Sequence, residues 1–411
     1  MSNTPWKNDK WFTSPWNFAP EVLETLNIPK KLQLHDVSLR DGEQQAGLIF
    51  NKDQKVAIAE KLIEVGIHRI EAGMPAVSPQ DEAAIKEIVK RCEAPGSPEV
   101  FAFARCVKDD VKRAADCGVK GIVVEIPASE HMVEYAYNWT MEKAIELSIE
   151  STALAKELGL YTVFFPIDGT RAEINWFTKL IKKVETEGHM DALAIVDTLG
   201  GLSPATVSYL VRELKRTIDK PLEAHFHDDF GMGSANTVLA LINGADVAHT
   251  TISGIGERAG NAAYEDVAMT LLTMHNYDLG LKYDKLYEVS RWLQEISGLK
   301  VRQNQGIIGE DIFNVESGIV TGWYKNCFNN APLELSPYRA SLTGHPEWQV
   351  VIGKFSGPPT VHVHCEKLGI PLGSPEQVQE VVKQIKAKAY EKHDLLTVEE
   401  FEKIARSVFG Q

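Results

Sequence analysis

Residues 221–229 read Pro-Leu-Glu-Ala-His-Phe-His-Asp-Asp. A short, largely apolar run that closes on His225-x-His227 is a strand that delivers two imidazoles to one side of a sheet, because side chains alternate along a strand. Working outward, similar runs recur upstream at KLQLHDV (31–37), HRIEAG (68–73), EVFAFA (99–104), GIVVEIP (121–127), YTVFFP (161–166) and ALAIVD (192–197), and downstream at DVAHTTI (246–252). Most are continuously apolar, as expected of a parallel sheet covered on its outer face. Each is followed by a helical run. Eight such units over roughly 250 residues predict a (β/α)8 TIM barrel. A doubly wound sheet is the rival, and the missing G-x-G-x-x-G after the first strand lowers it.

Helix punctuation supports the same division. In NKDQKVAIAEKLIEVG (51–66), Val56, Ala59, Leu62 and Ile63 share one helical face. Asn51 with Gln54 has the form of a capping box, and Gly66 ends the segment. Ser78-Pro79 is a cap residue followed by proline at the first helical position. After residue 285 the rhythm breaks. A helix is expected near 284–297, then a Gly- and Asn-rich stretch to 346, then helical runs at 375–391 and 397–408, the last opened by a Thr397/Glu400 capping box. The predicted organisation is an N-terminal arm (1–30), a barrel (31–285) and linker and helical C-terminal subdomains (286–411). The arm's Trp6, Trp11 and Trp16 need a surface, such as the barrel or a second subunit.

The chain has 411 residues, 44% apolar and 24% charged, with a formal net charge of −14. That acidity argues against non-specific nucleic-acid binding. The N-terminus has no apolar signal core, and no stretch approaches a membrane span of ~18 apolar residues. Five scattered cysteines with no C-x-x-C pair fit reduced thiols. A cytoplasmic enzyme is the expectation.

Barrel active sites lie at the C-terminal ends of the strands. After the first run comes Ser38-Leu39-Arg40-Asp41-Gly42-Glu43-Gln44; after the second, Glu71 and Gly73; after the fifth, Asp168 and Arg171; after the sixth, Asp197 and Thr198; after the eighth, the glycine-rich segment around Glu257. His225 and His227 with one carboxylate from another strand would make a three-ligand site with open positions, suited to Zn²⁺, Mn²⁺ or Mg²⁺. The competing reading is a pair of structural histidines. Arg40 beside Asp41 can be a plain surface ion pair, but charges crowded into a barrel mouth are costly to desolvate unless used. The glycines around Glu257 either form a turn or let the backbone approach a ligand. His362-Val363-His364 is a weaker candidate. It opens a helix, where residues two apart diverge by ~200°. His189, His249, His275 and His393 are read as ordinary structural or surface histidines.

LHDVSLRDGEQQAG (34–47), HFHDDFG (225–231) and ISGIGERAGNAAYEDV (252–267) together resemble the signatures of the isopropylmalate synthase and homocitrate synthase family, within the DRE-TIM metallolyases. VRQNQGIIGEDIFNVESGIV (301–320) and VIGKFSGPPTV (351–361) resemble its segments beyond the barrel. The resemblance implies Asp41, His225 and His227 as metal ligands with Asn261 beside the metal. It implies Arg40 and Gln44 at the oxo-acid end of the substrate, Thr198 on a substrate carboxylate, and Arg171 as a substrate-binding arginine. It further implies a homodimer and the substrates of a Claisen-type condensation, a 2-oxo acid and an acyl-CoA, most simply acetyl-CoA. Glu71, Asp168 and Tyr324 are the acid–base candidates.

Three departures stand out. The family's H-E-S-G-I-H is Val315-Glu316-Ser317-Gly318-Ile319-Val320 here, which replaces a histidine assigned to acid–base chemistry in a partner's barrel. K-H-S-G-R is Lys354-Phe355-Ser356-Gly357-Pro358. Asp228 stands where the synthases usually have Asn, as in hydroxymethylglutaryl-CoA lyases, although that enzyme's Gly-Gly-Cys loop is missing. The expected activity is therefore an alkylmalate-synthase-like acyl transfer with an atypical donor half-site. A lyase that cleaves a 3-hydroxy acid is the alternative, and a catalytically silent binding protein of the same fold is the third possibility.

Overall fold

The computed structural model describes residues 4–411. Eight parallel strands close into a barrel in sequence order: β1 (Gln33–Asp36), β2 (Arg69–Glu71), β3 (Glu99–Arg105), β4 (Gly121–Pro127), β5 (Tyr161–Ile167), β6 (Ala192–Asp197), β7 (Leu222–Phe226) and β8 (Val247–Thr250). The predicted fold class is therefore observed, and each strand lies within or next to its predicted run. β1 closes the barrel against β8, with His35 opposite His249 on one side and Arg69 on the other.

The local signals act as the sequence implies. Asn51 accepts from the Gln54 backbone N–H at 2.9 Å while the Gln54 side chain accepts from Asn51 at 3.0 Å, and Gly66 takes φ +94°. The helix they bound, Lys52–Val65, buries Val56, Ile58, Ala59, Leu62 and Val65. Ser78 caps Pro79–Arg91, and Thr397 with Glu400 caps Val398–Phe409.

The barrel interior is chemically divided. From β3 to β6 it is lined by Phe101, Phe103, Val123, Val163, Phe165 and small alanines of β6. From β7 through β8 and β1 to β2 it carries Glu223, His225, His249, His35, Arg69 and Glu71, all buried. Ring contacts join the halves: Phe165 lies 5.0 Å from His225, and Phe101 lies 4.8 Å from His35. Charged groups removed from water need partners, and this half of the barrel supplies them to one another.

Two compact units are present, residues 16–301 and residues 1–15 with 302–411. The barrel's unit thus ends later than the expected boundary at 285. The helix Leu286–Ser297 is tied to it by the Ser253–Ser290 hydroxyl contact at 2.7 Å, the Lys61–Glu288 ion pair and a Gln54 amide bond to the Ile296 carbonyl. In the other unit, β9 (Asn314–Val315) pairs in parallel with β10 (Gln349–Val350). Helices Gly318–Cys327, Pro358–Leu368, Pro375–Lys392 and Val398–Phe409 complete it. The start of the arm belongs here: Phe12 donates to the Pro337 carbonyl, Arg339 donates to the Lys10 carbonyl, and the backbone of Trp11 pairs with that of Tyr338 in the same unit. Trp16 stays 80% exposed. Among the described residues, no helix is long and apolar enough to cross a membrane.

Candidate metal centre and active site

At the end of β7 the two-residue spacing brings the His225 and His227 Nε2 atoms within 3.3 Å of each other. The turn after β1 brings Asp41 Oδ2 to 3.4 Å from His225 Nε2 and 3.6 Å from His227 Nε2. All three residues are buried. Near-equal spacings of this size are those of ligand atoms around an ion at ~2.0–2.2 Å from each. His227 Nδ1 faces the Gly260 carbonyl at 3.1 Å. Donation to that carbonyl leaves the Nε2 lone pair free, the usual support of a ligating imidazole.

The electrostatics favour a cation. Burial pushes His225 down to about 3 despite Asp41, so its imidazole is neutral near pH 7. Burial also lowers His227. For Asp41, burial opposes ionisation, but Arg40 and His225 outweigh it and hold the carboxyl well below its ordinary value. Two neutral imidazoles and a carboxylate, with their donor atoms converging, fit a divalent ion. The Asn261 amide donates to Asp41 Oδ1 at 3.1 Å, and its Oδ1 is buried without a partner, a further oxygen donor beside the triad.

The glycine-rich segment after β8 holds Asn261 in place. Gly256 has φ +151°, and a Cβ there would lie 2.1 Å from Asn261 Nδ2. Gly256→Ala should therefore displace Asn261 and weaken metal retention by about 10–100-fold, as for other supporting contacts to a ligand set. Metal content after dialysis, read by atomic emission, checks this. Wild-type retention would show that Asn261 contributes nothing to the centre.

Arg40 is buried between two carboxylates. Its Nε donates to Glu71 and its Nη1 to Asp41 Oδ2 at 2.9 Å, while the guanidinium lies 4.1 Å from the Phe103 ring centroid. Its Nη2 is buried and has no partner in the structure. Gln44 is exposed and lines, with Arg40, Leu39, Glu43 and Met74, a cavity of about 370 Å³. The other two expected substrate residues gather around Asp168. Arg171 donates to it at 2.6 and 2.8 Å, and the Thr198 hydroxyl accepts from its backbone N–H at 2.7 Å. Ser129 and His131 also contact that carboxylate, and neither was legible as a site residue from sequence.

The acid–base candidates are all engaged. Glu71 faces Arg40, and Asp168 is shared among Arg171, Ser129 and His131. Tyr324, in the other unit, is buried and stacks on Phe328. His364 bonds the Val350 carbonyl at 2.9 Å, whereas His362 faces Lys325, so the two do not converge on one ion. Asp228 accepts from the Gly233 backbone at 2.6 Å and shapes the start of the helix Gly233–Ile242. His249, read from sequence as ordinary, is buried in the barrel against Glu223.

A closed (β/α)8 barrel with a convergent, buried His₂Asp cluster at the carboxyl ends of its strands defines the class: a TIM-barrel protein built around a candidate metal centre. Residues 31–293 match the HMGL-like family. Homocitrate synthase AksA of Methanothermobacter thermautotrophicus is 35% identical over 401 residues, 98% of this chain and 99% of that protein. The 2-isopropylmalate synthase of Methanocaldococcus jannaschii is also 35% identical, over 95% of this chain and 74% of its own length. The hydroxymethylglutaryl-CoA lyase of Bacillus subtilis shares the fold, with a TM-score of 0.59 at 23% identity over 67% of this chain and 97% of that one. The chain belongs to the HMGL-like family, among the DRE-TIM members.

Proposed function

We propose that this protein is a divalent-metal-dependent acyltransferase that joins the acyl carbon chain of an acyl-CoA, most simply acetyl-CoA, to the ketone carbon of a 2-oxo acid. The observation that carries this reading is the intact ligand triad bonded directly to a buried arginine with one free guanidinium nitrogen, in a chain aligned end to end with a homocitrate synthase. Asp41, His225 and His227, with Asn261 beside them, would hold Zn²⁺, Mn²⁺ or Mg²⁺. Such an ion polarises the ketone as a Lewis acid when bound.

The chain's own groups supply the rest. Arg40 Nη2 is left free to bond the oxygen that gains charge as the new C–C bond forms, a contact strongest in the transition state. Glu71 holds Arg40 by its Nε, which makes it a positioning residue in this account. Gln44 sits on the same cavity as Arg40, and Arg171 and Thr198 form a separate polar cluster for a substrate carboxylate. A base takes a proton from the methyl carbon of the donor, and the enolate so formed attacks the ketone carbon. The resulting alkoxide takes up a proton, and water cleaves the thioester to release free thiol and a carboxylate. Metal-loaded protein should therefore release thiol from acetyl-CoA only when a suitable 2-oxo acid is present. Thiol release that is absent across a panel of 2-oxo acids would exclude the reading with this donor.

The donor half-site is proposed to be atypical. Val320 packs on the apolar cluster of Phe313, Trp348 and Val350. A histidine there would meet hydrocarbon, so Val320→His should fall well short of the ~10²–10⁴-fold that a working acid–base group supplies. Steady-state kcat with acetyl-CoA measures this. A gain of that size would identify a weakened ordinary synthase.

A cytoplasmic homodimer is the proposed working form. Ile319 and Trp323, four apart on one helix face, are 71% and 52% exposed, and Phe355, whose carbonyl accepts from Gly318, is 63% exposed. An apolar patch of this kind marks an interaction surface. Sedimentation should give twice the chain mass at micromolar concentration, and Trp323→Glu should shift it toward monomer. A monomeric wild type would contradict the assembly.

A further inference from the structure

The barrel interior holds a second group of ionisable residues that the chemistry above does not use. Arg69 of β2 donates to Glu223 of β7 at 2.8 Å, and the other oxygen of Glu223 lies 2.7 Å from His249 Nε2 of β8. Arg40 and Glu71 form the other ion pair. His35 of β1 has no exposed surface and lies between the two pairs. Its Nε2 is 3.6 Å from Glu71 Oε2, and its Nδ1 is 3.8 Å from Glu223 Oε2. Both ring nitrogens, and Glu71 Oε2, lack hydrogen-bond partners in the structure.

His35, Glu223 and His249 could be taken for a second metal site. Their spacing argues otherwise. The 2.7 Å between His249 and Glu223 is the length of a charge-assisted N–H···O bond, and Glu223 already has Arg69 as its countercharge. The catalytic-face triad has near-even gaps of 3.3–3.6 Å instead.

Burial pushes His35 down to about 4, so the ring is neutral near pH 7 and carries a single N–H. Glu223 also draws on His35, but its Oε2 already faces His249 at 2.7 Å and its Oε1 accepts from Arg69, and at 3.8 Å it lies farther from the His35 ring than Glu71 does at 3.6 Å. Glu71 has Arg40 on one oxygen and an unpaired second oxygen facing His35. Closing that gap by less than an ångström makes a hydrogen bond. Resting on the reading of Arg40 given above, we infer that His35 is a positioning residue: it anchors Glu71 from below, and Glu71 in turn aims the free Nη2 of Arg40. As Arg40 turns its charge toward the developing alkoxide, Glu71 is less well compensated, and a second donor keeps its carboxylate in place.

The test compares His35→Phe, which keeps a flat ring and removes both nitrogens, with His35→Gln, which keeps an N–H donor. Both are measured in the metal-loaded enzyme, alone and combined with Arg40→Lys. His35→Phe should lower kcat by about 10–100-fold, the range for groups that orient a catalytic shell. KM for the 2-oxo acid and metal content should be unchanged. His35→Gln should recover much of that loss. In the Arg40→Lys background His35→Phe should cost little more, because both act through one group. An unchanged kcat, a parallel change in KM and metal content, or fully multiplicative effects would each overturn the inference. A near-normal Arg40→Lys single variant would instead sink the role of Arg40 itself. If His35→Phe does not fold, His35→Asn, whose shorter amide falls short of Glu71, replaces it: it should lower kcat by itself and add little to Glu71→Gln, and a full further loss overturns the inference.

Discussion

Removing the divalent ion with a chelator, or replacing Asp41 with alanine, is expected to abolish the condensation. Among the described residues, Asp41 is the only carboxylate that touches both imidazoles, at 3.4 and 3.6 Å, so its loss leaves two neutral donors with no anionic partner for a cation. The same substitution breaks a buried ion pair with Arg40, for which about 3–5 kcal/mol is the usual range. Glu71 remains to hold Arg40, which places the expected stability loss toward the lower end. Asp41→Asn separates the effects: it keeps the shape and removes the charge. Metal content by atomic emission and thiol release should fall together in Asp41→Ala, Asp41→Asn and His227→Ala, and re-addition of metal should restore only the chelated wild type. Full activity in a metal-free preparation would contradict the assignment.

Arg40→Lys is expected to lower kcat by about 10²-fold or more, the size of losing a preorganised donor to a developing oxyanion. The charge survives the change, but the planar fork does not. The fork is what allows one nitrogen on Glu71, one on Asp41 and a third free. An ammonium can occupy one of these positions at a time without a fixed direction. KM for the 2-oxo acid should move much less than kcat, because the contact gains strength as the alkoxide forms. Steady-state kinetics decide it: an equal rise in KM with unchanged kcat would make Arg40 a ground-state binding residue.

The barrel was readable because parallel strands buried on both faces leave continuous apolar runs, and because caps such as Asn51, Ser78 and Thr397 mark where helices begin. His225 and His227 were readable from their two-residue spacing at the end of a predicted barrel strand, which puts both on one side. Asp41 was not, by the same logic. It lies 184 positions before His225, and only strand register brings them together, so resemblance had to supply it. The interior array was hidden for a related reason. His35, Arg69, Glu223 and His249 lie on four different strands, far apart in the chain, and His249 in isolation looks like any core histidine. Their partnership exists only once β1 pairs with β8 and β2. The helix Gly318–Cys327 lay in a Gly- and Asn-rich stretch that reads as loop. It forms there because Thr321 and Tyr324 are buried and Val320 packs on the apolar cluster of its own unit.

Product analysis with methyl-labelled ¹³C acetyl-CoA separates condensation from cleavage. The metal-loaded protein is incubated with the labelled donor and a panel of 2-oxo acids, and the products are read by mass spectrometry and NMR. The expected product is a hydroxy acid with a new carboxymethyl group whose labelled carbon is bonded to the former ketone carbon, formed only with metal present and about 10²-fold or more slower in Arg40→Lys. Unchanged 2-oxo acids, together with metal-dependent cleavage of 3-hydroxy acids or their CoA esters, would contradict it and make the protein a lyase.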